Sequence, residues 1–475
     1  MELMREALVL KNEKEYGELY RRLRFPSAAE ADDFNQKRQQ LIAGLDGRAS
    51  SACQGSKLHT GPLSPGCAIC TRGEWSCLFI NNLCNGRCFY CPTSQLKKSQ
   101  PETNSLSFSQ ANDYLAYLEE FDFRGASISG GEPLITPERT LDFVAKIKKK
   151  FGQKIHLWLY TNGILANEII LRQLADHGLD EIRFDLSAKD YETDKVEIAA
   201  RLIPTITVEI PAIPEDYPLL SGLLPRLAEI GVKHLNLHQL RLTPFNAEKL
   251  LQHPYTYSHG KKITVIESEL TALRLVRHAA ENGGPAVNYC SFAYKERYQG
   301  AASRKRAARA LAKPFEEVTK AGYIRSLNIK DTPTMIDKIA AILAESGHPQ
   351  AWFLEKKEWL HFASFLLPEI IRCHPAVITV SYALCKLGEK NSYQGSYLEI
   401  ALHRKRNIVA QRQSVLSKRS LIAADLEPFA AAFLLTSAQE NDDQLCDLTK
   451  DTLTYPDLGD IFEYERQSIG LPLYF

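Results

Sequence analysis

From Trp75 to about Phe292 the chain repeats one pattern: a short apolar run, then a longer stretch with apolar residues three or four apart. The first kind of segment suits a buried strand and the second an amphipathic helix. Strands are expected at Cys77–Asn81, Gly125–Ser129, Ile155–Tyr160, Glu181–Leu186, Thr205–Ile210 and His234–Gln239, with Ala286–Phe292 as a further candidate. Helical spacing falls near 107–120, 137–150, 166–177, 189–201, 216–230 and 264–282. Strands that alternate with helices build a parallel sheet. Ahead of this region, Glu15–Phe25 and Ala28–Leu45 have helical spacing, and Arg48–Gly66 is rich in Gly, Pro and Ser and reads as irregular. Beyond Tyr294 the rhythm stops. A basic helix carrying Arg304, Lys305, Arg306 and Arg309 comes first. Strand-like segments follow at Ala351–Ser364, Val377–Leu384 and Leu398–Gln411, as in a small α+β domain. The expected division is 1–74, 75–292 and 293–475.

Composition narrows the function. A formal charge of +1 over 475 residues argues against a globally basic nucleic-acid binder. No run of apolar residues reaches the length of a membrane span, and the charged start Met1-Glu-Leu-Met-Arg-Glu6 does not read as a secretory signal. Eleven cysteines cluster unevenly, which favours metal binding in a reducing, cytoplasmic setting over disulfides.

Three of those cysteines, Cys84, Cys88 and Cys91, lie in Leu83-Cys-Asn-Gly-Arg-Cys-Phe-Tyr-Cys-Pro92 with the spacing C-x3-C-x2-C. Soft thiolates suit iron–sulfur clusters, zinc or copper(I). Three ligands without a local fourth leave one iron of a [4Fe-4S] cluster open, whereas a structural zinc site closes with four. Further along, Ala126-Ser-Ile-Ser-Gly-Gly-Glu-Pro-Leu134 reads as a strand running into a loop, with glycines that let the backbone approach a ligand.

Together these motifs resemble the radical S-adenosylmethionine (radical SAM) superfamily, and within it the uncharacterised group related to pyruvate formate-lyase activating enzymes. The resemblance implies an α/β fold: a partial (β/α)6 barrel with an N-terminal Cys-containing helical extension and a C-terminal α+β domain. It implies that Cys84, Cys88 and Cys91 hold a [4Fe-4S] cluster whose open iron binds S-adenosylmethionine (AdoMet). Gly130, Gly131, Glu132 and Pro133 then serve the AdoMet amino group, and Phe89 and Tyr90 lie by the cluster, Tyr90 at the adenine. Thr161 and Asn162, ending a strand, lie by AdoMet or form a plain turn.

Asp185 and Ser187 stand where a ribose or carboxylate could be held. Glu209 and His238 are polar residues inside apolar strands; they face either the site or a helix. Arg241 and Asn246 follow the last strand and are candidates for AdoMet or substrate contact. Cys67 and Cys70 form a C-x2-C half-site that, with Cys290 and Cys77, could complete an auxiliary iron–sulfur or zinc site. Otherwise Cys77 and Cys290 are buried structural thiols, or Cys290 is a catalytic thiol. Cys373, Cys385 and Cys446 suit a core.

The expected activity is reductive AdoMet cleavage to a 5′-deoxyadenosyl radical that modifies a peptide or protein, with a flavodoxin- or ferredoxin-type reductase as partner. RNA or small-molecule modification is the alternative, the Arg304–Arg309 helix being the candidate RNA contact, and an iron–sulfur electron-transfer protein stands behind both.

Overall fold

The computed structural model describes residues 2–45, 47–97, 99–373, 377–389, 397–434, 458–468 and 470–475. Cys446 lies outside them. Two compact units emerge: one contains 1–103, 107–295 and 470–475, the other 104–106 and 296–469. The stretch 1–74 is therefore part of the first unit and not a separate body.

In chain order the first unit begins with α1 (Glu2–Tyr16), α2 (Ala28–Ala43), β1 (Ser50–Ala52), β2 (Lys57–His59) and α3 (Pro65–Thr71). Then the βα rhythm starts: β3 (Trp75–Phe79), α4 (Ala111–Glu120), β4 (Gly125–Ser129), α5 (Pro137–Phe151), β5 (His156–Thr161), α6 (Glu168–Asp176), β6 (Glu181–Phe184), α7 (Asp194–Ala200), β7 (Thr205–Pro211), α8 (Tyr217–Glu229), β8 (His234–His238), α9 (Ile266–Asn282) and β9 (Ala286–Cys290). Strands β3 to β9 pair in sequence order, all parallel. Crossover helices that bury one face of such a sheet give the (β/α) partial barrel.

The two faces of the strands differ in chemistry. Ile128, Leu157, Leu159, Ile182, Val208, Ile210, Leu235 and Leu237 are fully buried and apolar. Every second residue between them is polar or aromatic: Ser127, Trp158, Tyr160, Glu181, Arg183, Thr207, Glu209, Asn236 and His238. Side chains alternate across a strand, so the apolar set meets the helices and the polar set lines the lumen.

The segment expected to be irregular holds the main surprise. Strand β2 pairs antiparallel with β9, and β1 pairs with β2, extending the sheet beyond its seventh parallel strand. Helix α3 presses into the lumen. A Cβ on Gly66 would lie 2.4 Å from the Arg183 guanidinium and 2.9 Å from the Glu181 carboxylate, so only glycine fits there. Three-residue strands among Gly, Ser and Pro carry no local periodicity; their pairing comes from β9, far along the chain.

In the second unit, α10 (Ala301–Arg309) precedes β10 (Ile324–Lys330), α11 (Pro333–Glu345), β11 (Trp352–Glu355), β12 (Trp359–Phe362), β13 (Ile378–Gly388), β14 (Leu398–His403) and β15 (Arg406–Leu421). The strands form an antiparallel sheet ordered β11-β12-β10-β13-β15-β14. Two segments expected as single strands, 351–364 and 398–411, are instead hairpin arms or turns. Arg304 of α10 is not a free phosphate contact: its guanidinium donates to the Ala321 carbonyl at 2.9 Å and lies 5.1 Å from the Tyr323 ring centre.

One buried ion pair ties the N-terminal helices and the chain's last residues to the barrel. Arg38 of α2, 1% exposed, donates to Glu269 of α9 at 3.0 Å and to the Pro472 carbonyl at 2.8 Å. Glu269 also accepts from Tyr289 at 2.6 Å and Tyr474 at 2.5 Å. Removing one partner leaves a buried charge uncompensated, which costs about 3–5 kcal/mol. Arg38→Met should lower the denaturation free energy of the first unit by that order. An Arg38→Met/Glu269→Met double variant should recover a large part of the loss in the same urea titration.

Candidate functional site

The loop after β3 carries the three thiols and is held by backbone contacts to the loop after β4. Gly131 N–H donates to the Asn81 carbonyl at 3.0 Å, and Glu132 N–H to the Leu83 carbonyl at 2.6 Å. Both glycines are required by this approach. A Cβ on Gly131 would stand 1.9 Å from the Leu83 oxygen. One on Gly130, whose φ is +137°, would stand 2.3 Å from the Asn81 oxygen. Cys84 and Cys88 bring their sulfurs together: each lies 3.5 Å from the point where a Gly86 Cβ would be.

All three thiols are partly exposed; Cys84 and Cys91 meet N–H donors, and Cys88 meets the Tyr90 hydroxyl. The Gly86 amide lies 3.3 Å from Cys84 Sγ, and the Gln95 side-chain amide 2.8 Å from Cys91 Sγ. Asn162 Nδ2 approaches Cys84 Sγ at 3.6 Å. Burial pushes the Cys84 thiol up and the Cys88 thiol up to about 11, so neither is a thiolate at neutral pH unless a metal takes the proton's place. Among the described residues no group of three or more His, Cys, Asp and Glu is packed as a single metal ion requires. A four-iron cluster spreads its ligand sulfurs wider than one ion does, and a soft, all-thiol donor set with N–H groups at the sulfurs fits it.

Beside the thiols, Glu132 is fully buried. Its carboxylate accepts from the Asn162 amide at 2.7 Å, the Leu134 amide at 2.9 Å and the Thr161 hydroxyl at 2.9 Å. Burial outweighs these donors and pushes its pKa up to about 7. Pro133 is buried and opens a 3-10 turn. Asn162 thus bonds both the thiol loop and the carboxylate.

Tyr90 points its hydroxyl at Asp185, 2.9 Å away, and at Ser187 Oγ, 2.6 Å away. Burial pushes Asp185 above the ordinary carboxylate range. Phe89 stacks on His253 at 4.4 Å between ring centres. Asn246 is consumed by the protein: its amide donates to the Tyr90 and Arg241 carbonyls, both at 3.0 Å, so it braces the loop and does not reach a ligand.

Deeper in the lumen, Arg183 is the hub. It bonds Glu181 at 2.8 Å, Glu209 at 2.7 Å, Tyr160 at 3.3 Å and Ser64 of the α3 cap at 3.2 Å. Burial alone would raise Glu181, but Arg183 and then His156 pull it down to about 2. Glu209 is held well below the usual range for the same reason, with Arg183 and His238 opposing burial. Glu209 therefore faces the lumen and not a helix, and its other oxygen meets His238 Nε2 at 2.5 Å. Burial, then Lys295, lowers His238, so it is neutral at pH 7, and its Nδ1 is buried without a partner.

Cys67, Cys70 and Cys290 converge near this network, each on its own protein partner. Asn236 Nδ2 lies 3.2 Å from Cys67 Sγ, Tyr294 Oη 3.2 Å from Cys70 Sγ, and Lys57 Nζ 2.9 Å from Cys290 Sγ. Burial pushes Cys67 up and Cys70 up to about 12. Cys77 stands apart, next to Ser127 and Ser129, and burial pushes it up to about 11. Cys385 is buried in the second unit.

The sequence reading missed Arg183, Lys57 and Lys295. For Arg183 a signal existed: Glu181-Ile-Arg-Phe-Asp185 places charge at every second position of a strand. Lys57 and Lys295 had none.

The family model described as "Radical SAM superfamily" matches residues 78–210. A protein of Methanocaldococcus jannaschii, provisionally named a glycyl-radical enzyme activating enzyme, is 29% identical over 297 residues, covering 60% of this chain and 78% of that one. GTP 3′,8-cyclase of Campylobacter jejuni is 25% identical over 189 residues, 38% of this chain and 57% of the cyclase. Among solved structures, Streptococcus suis SuiB bound to S-adenosylmethionine is similar over 62% of this chain and 67% of its own, at 14% identity and a TM-score of 0.37.

Two measurements check this geometry. Gly131→Ala should fail to retain iron after anaerobic reconstitution, because the new methyl group displaces the thiol loop. Gly222→Ala on α8, where nothing lies within 4 Å of the new carbon, should retain it. For Glu132, the folded pKa exceeds the unfolded one. Its contribution to stability is full below the unfolded pKa of 4.5 and is lost as pH rises through 7. Ligand-free protein should therefore lose about 2 kcal/mol more between pH 5 and pH 8 than Glu132→Gln does, read from urea denaturation at each pH.

Proposed function

We propose that this chain, which matches the radical SAM superfamily over residues 78–210, is a radical SAM enzyme that modifies a peptide or protein side chain, glycyl-radical activation included. It is an enzyme whose cofactors are a [4Fe-4S] cluster and AdoMet. When bound, they supply a 5′-deoxyadenosyl radical that takes a hydrogen atom from a substrate C–H bond.

The chain's own residues do the rest. Cys84, Cys88 and Cys91 would hold the cluster. The bare backbone of Gly130 and Gly131 lets that loop seat against the next one, and the buried carboxylate of Glu132, held by Thr161 and the Leu134 and Asn162 amides, fixes the Gly130–Pro133 segment that would serve the AdoMet amino group. Tyr90, Asp185 and Ser187 form a hydrogen-bonded wall beside the same loop, suited to ribose hydroxyls. Glu209, anchored by Arg183, holds His238 in one tautomer with Nδ1 free to accept a hydrogen bond. A rigid lumen limits how far a bound C–H can drift from the radical, and position is what such a reaction demands.

The observation that carries this reading is Asn162, which bonds Cys84 Sγ through its side chain and Glu132 through its backbone amide. It joins the metal-binding loop to the carboxylate in one unit. The name of the Methanocaldococcus relative supports a protein substrate. A flavodoxin- or ferredoxin-type reductase would supply the electron. A phosphorylated small molecule is the second reading, favoured by cations in the lumen; the RNA reading has lost its Arg304 contact.

Anaerobic reconstitution tests the core of the proposal. Wild type with dithionite and AdoMet should release 5′-deoxyadenosine, and a Cys84→Ala/Cys88→Ala/Cys91→Ala variant should release none. A reducible cluster with no AdoMet cleavage and no AdoMet-dependent change in its EPR signal would place the chain among electron carriers. Mass spectrometry of candidate glycyl-radical partners after turnover addresses the substrate.

A further inference from the structure

Among the described residues four lysines and arginines are buried: Arg38, Lys57, Arg183 and Arg325. Three are paired with carboxylates: Arg38 with Glu269, Arg183 with Glu181 and Glu209, Arg325 with Glu465 and Glu317. Lys57 is the exception. Its ammonium, on a residue 1% exposed, meets the Cys290 thiol at 2.9 Å and the face of the Tyr294 ring at 4.2 Å, and no carboxylate. The sulfurs of Cys290, then Cys67 and Cys70, favour its charged form against burial, in place of the carboxylates that the other three cations have.

Two more cations converge above it. Lys295 Nζ lies 5.1 Å and Arg241 Cζ 5.7 Å from the centre of the same Phe292 ring. Both are half-buried; Glu209 favours the charge of Lys295, and Glu15 that of Arg241, without a direct ion pair among the described residues. The strand register places them at the mouth. His238, Cys290 and Lys57 are paired neighbours across β8, β9 and β2, so they form one row at the C-terminal ends of the parallel strands. Ligands of α/β proteins bind at that end. The unpartnered Nδ1 of His238 in the same row shows that the protein alone does not complete this place. In strand order the row lies four to six positions from β4, whose following loop carries Glu132. The AdoMet amino end is thus provided for elsewhere.

We propose that Lys295 and Arg241, backed by the buried ammonium of Lys57, hold an oxyanion of the substrate, a carboxylate or a phosphate, at the mouth of the barrel beside His238 and Cys290. This deepens the functional reading above and rests on it for the identity of the ligand as substrate. Lys295 and Arg241 are open enough to touch the anion, and Lys57 acts through its field from beneath Cys290. A carboxylate would come from an acidic side chain or a chain terminus, a phosphate from a phosphorylated small molecule.

Isothermal titration of the anaerobically reconstituted full chain with succinate and, separately, with inorganic phosphate tests this. One of the two should bind saturably at one site, and which one binds names the source. Lys295→Met and Arg241→Met should each weaken that binding at least tenfold. Lys57→Met should weaken it severalfold, and Lys57→Arg should restore it. AdoMet affinity of the Lys295→Met and Lys57→Met samples should stay within twofold. The proposal is overturned if neither anion saturates, if Lys295→Met binds as wild type does, or if AdoMet affinity falls in step with anion affinity, since the cations would then serve the cofactor. Lys295 is partly exposed, so its variant keeps the test open should Lys57→Met not fold. Anion binding is read without turnover: absent 5′-deoxyadenosine with intact anion binding would strike the functional reading alone, and the reverse result the oxyanion site alone.

Discussion

A guanidinium cannot lie inside a barrel without carboxylates, and much of the first unit is arranged around that fact. Arg183 sits on the inner face of β6 with Glu181 on its own strand and Glu209 on the next. In a low-dielectric interior each of these ions would be costly alone. Together they are mutually satisfied, and the remaining lone pairs and protons are taken by His156, Thr207, Asn236, Tyr160 and the α3 cap. The consequence reaches outward. Helix α3 can enter the lumen because Gly66 leaves room for Arg183 and its amide bonds Glu181 at 3.2 Å. That helix then carries Cys67 and Cys70 inward. The polar core thus explains why a lumen that other folds fill with branched apolar side chains is here a network of charge.

A second constraint is purely steric. The loops after β3 and β4 approach so closely that two successive residues must lack a Cβ. The contact converts two motifs distant in sequence into one surface, with partly exposed thiols on one side and a fully buried carboxylate on the other. The exposure gradient has a chemical sense. A thiol that is to take up metal must be reachable, whereas a buried carboxylate that accepts three hydrogen bonds fixes the backbone around it.

How much of this could be read from the chain divides along the range of the interactions. The C-x3-C-x2-C run and Gly130-Gly-Glu-Pro133 are local, and their chemistry was legible. The parallel strands were legible because their outer faces carry regular apolar residues, although the first was placed two residues late, at Cys77 instead of Trp75. Strand β2 was not, because three residues between glycines and prolines hold no period and take their register from Tyr289 and its neighbours. Glu209 and His238 were ambiguous as single polar residues. The ambiguity dissolves once Glu181, Arg183, Glu209, Asn236 and His238 are considered together, since charge on every second position of adjacent strands puts all of it on one face. Lys57 belongs to the class no local pattern reveals: its meaning comes from the carboxylate it does not have.

The mouth of the barrel is electrically asymmetric as a result. Carboxylates, Glu132 and Asp185, gather beside the thiol loop, and cations, Lys57, Lys295 and Arg241, gather around β8, β9 and β2, with Glu209 bound to His238 beneath them. Between them His238 is neutral and its free nitrogen accepts hydrogen bonds. A ligand with positive and negative ends is oriented by such a field before any contact is tight. Orientation matters more here than in polar catalysis. A carbon-centred radical has no charge for the protein to grip, so selectivity among C–H bonds must come from where the substrate's polar groups are pinned. An oxyanion held by fixed cations on one wall and a rigid lumen behind it would pin a substrate without touching the bond that reacts.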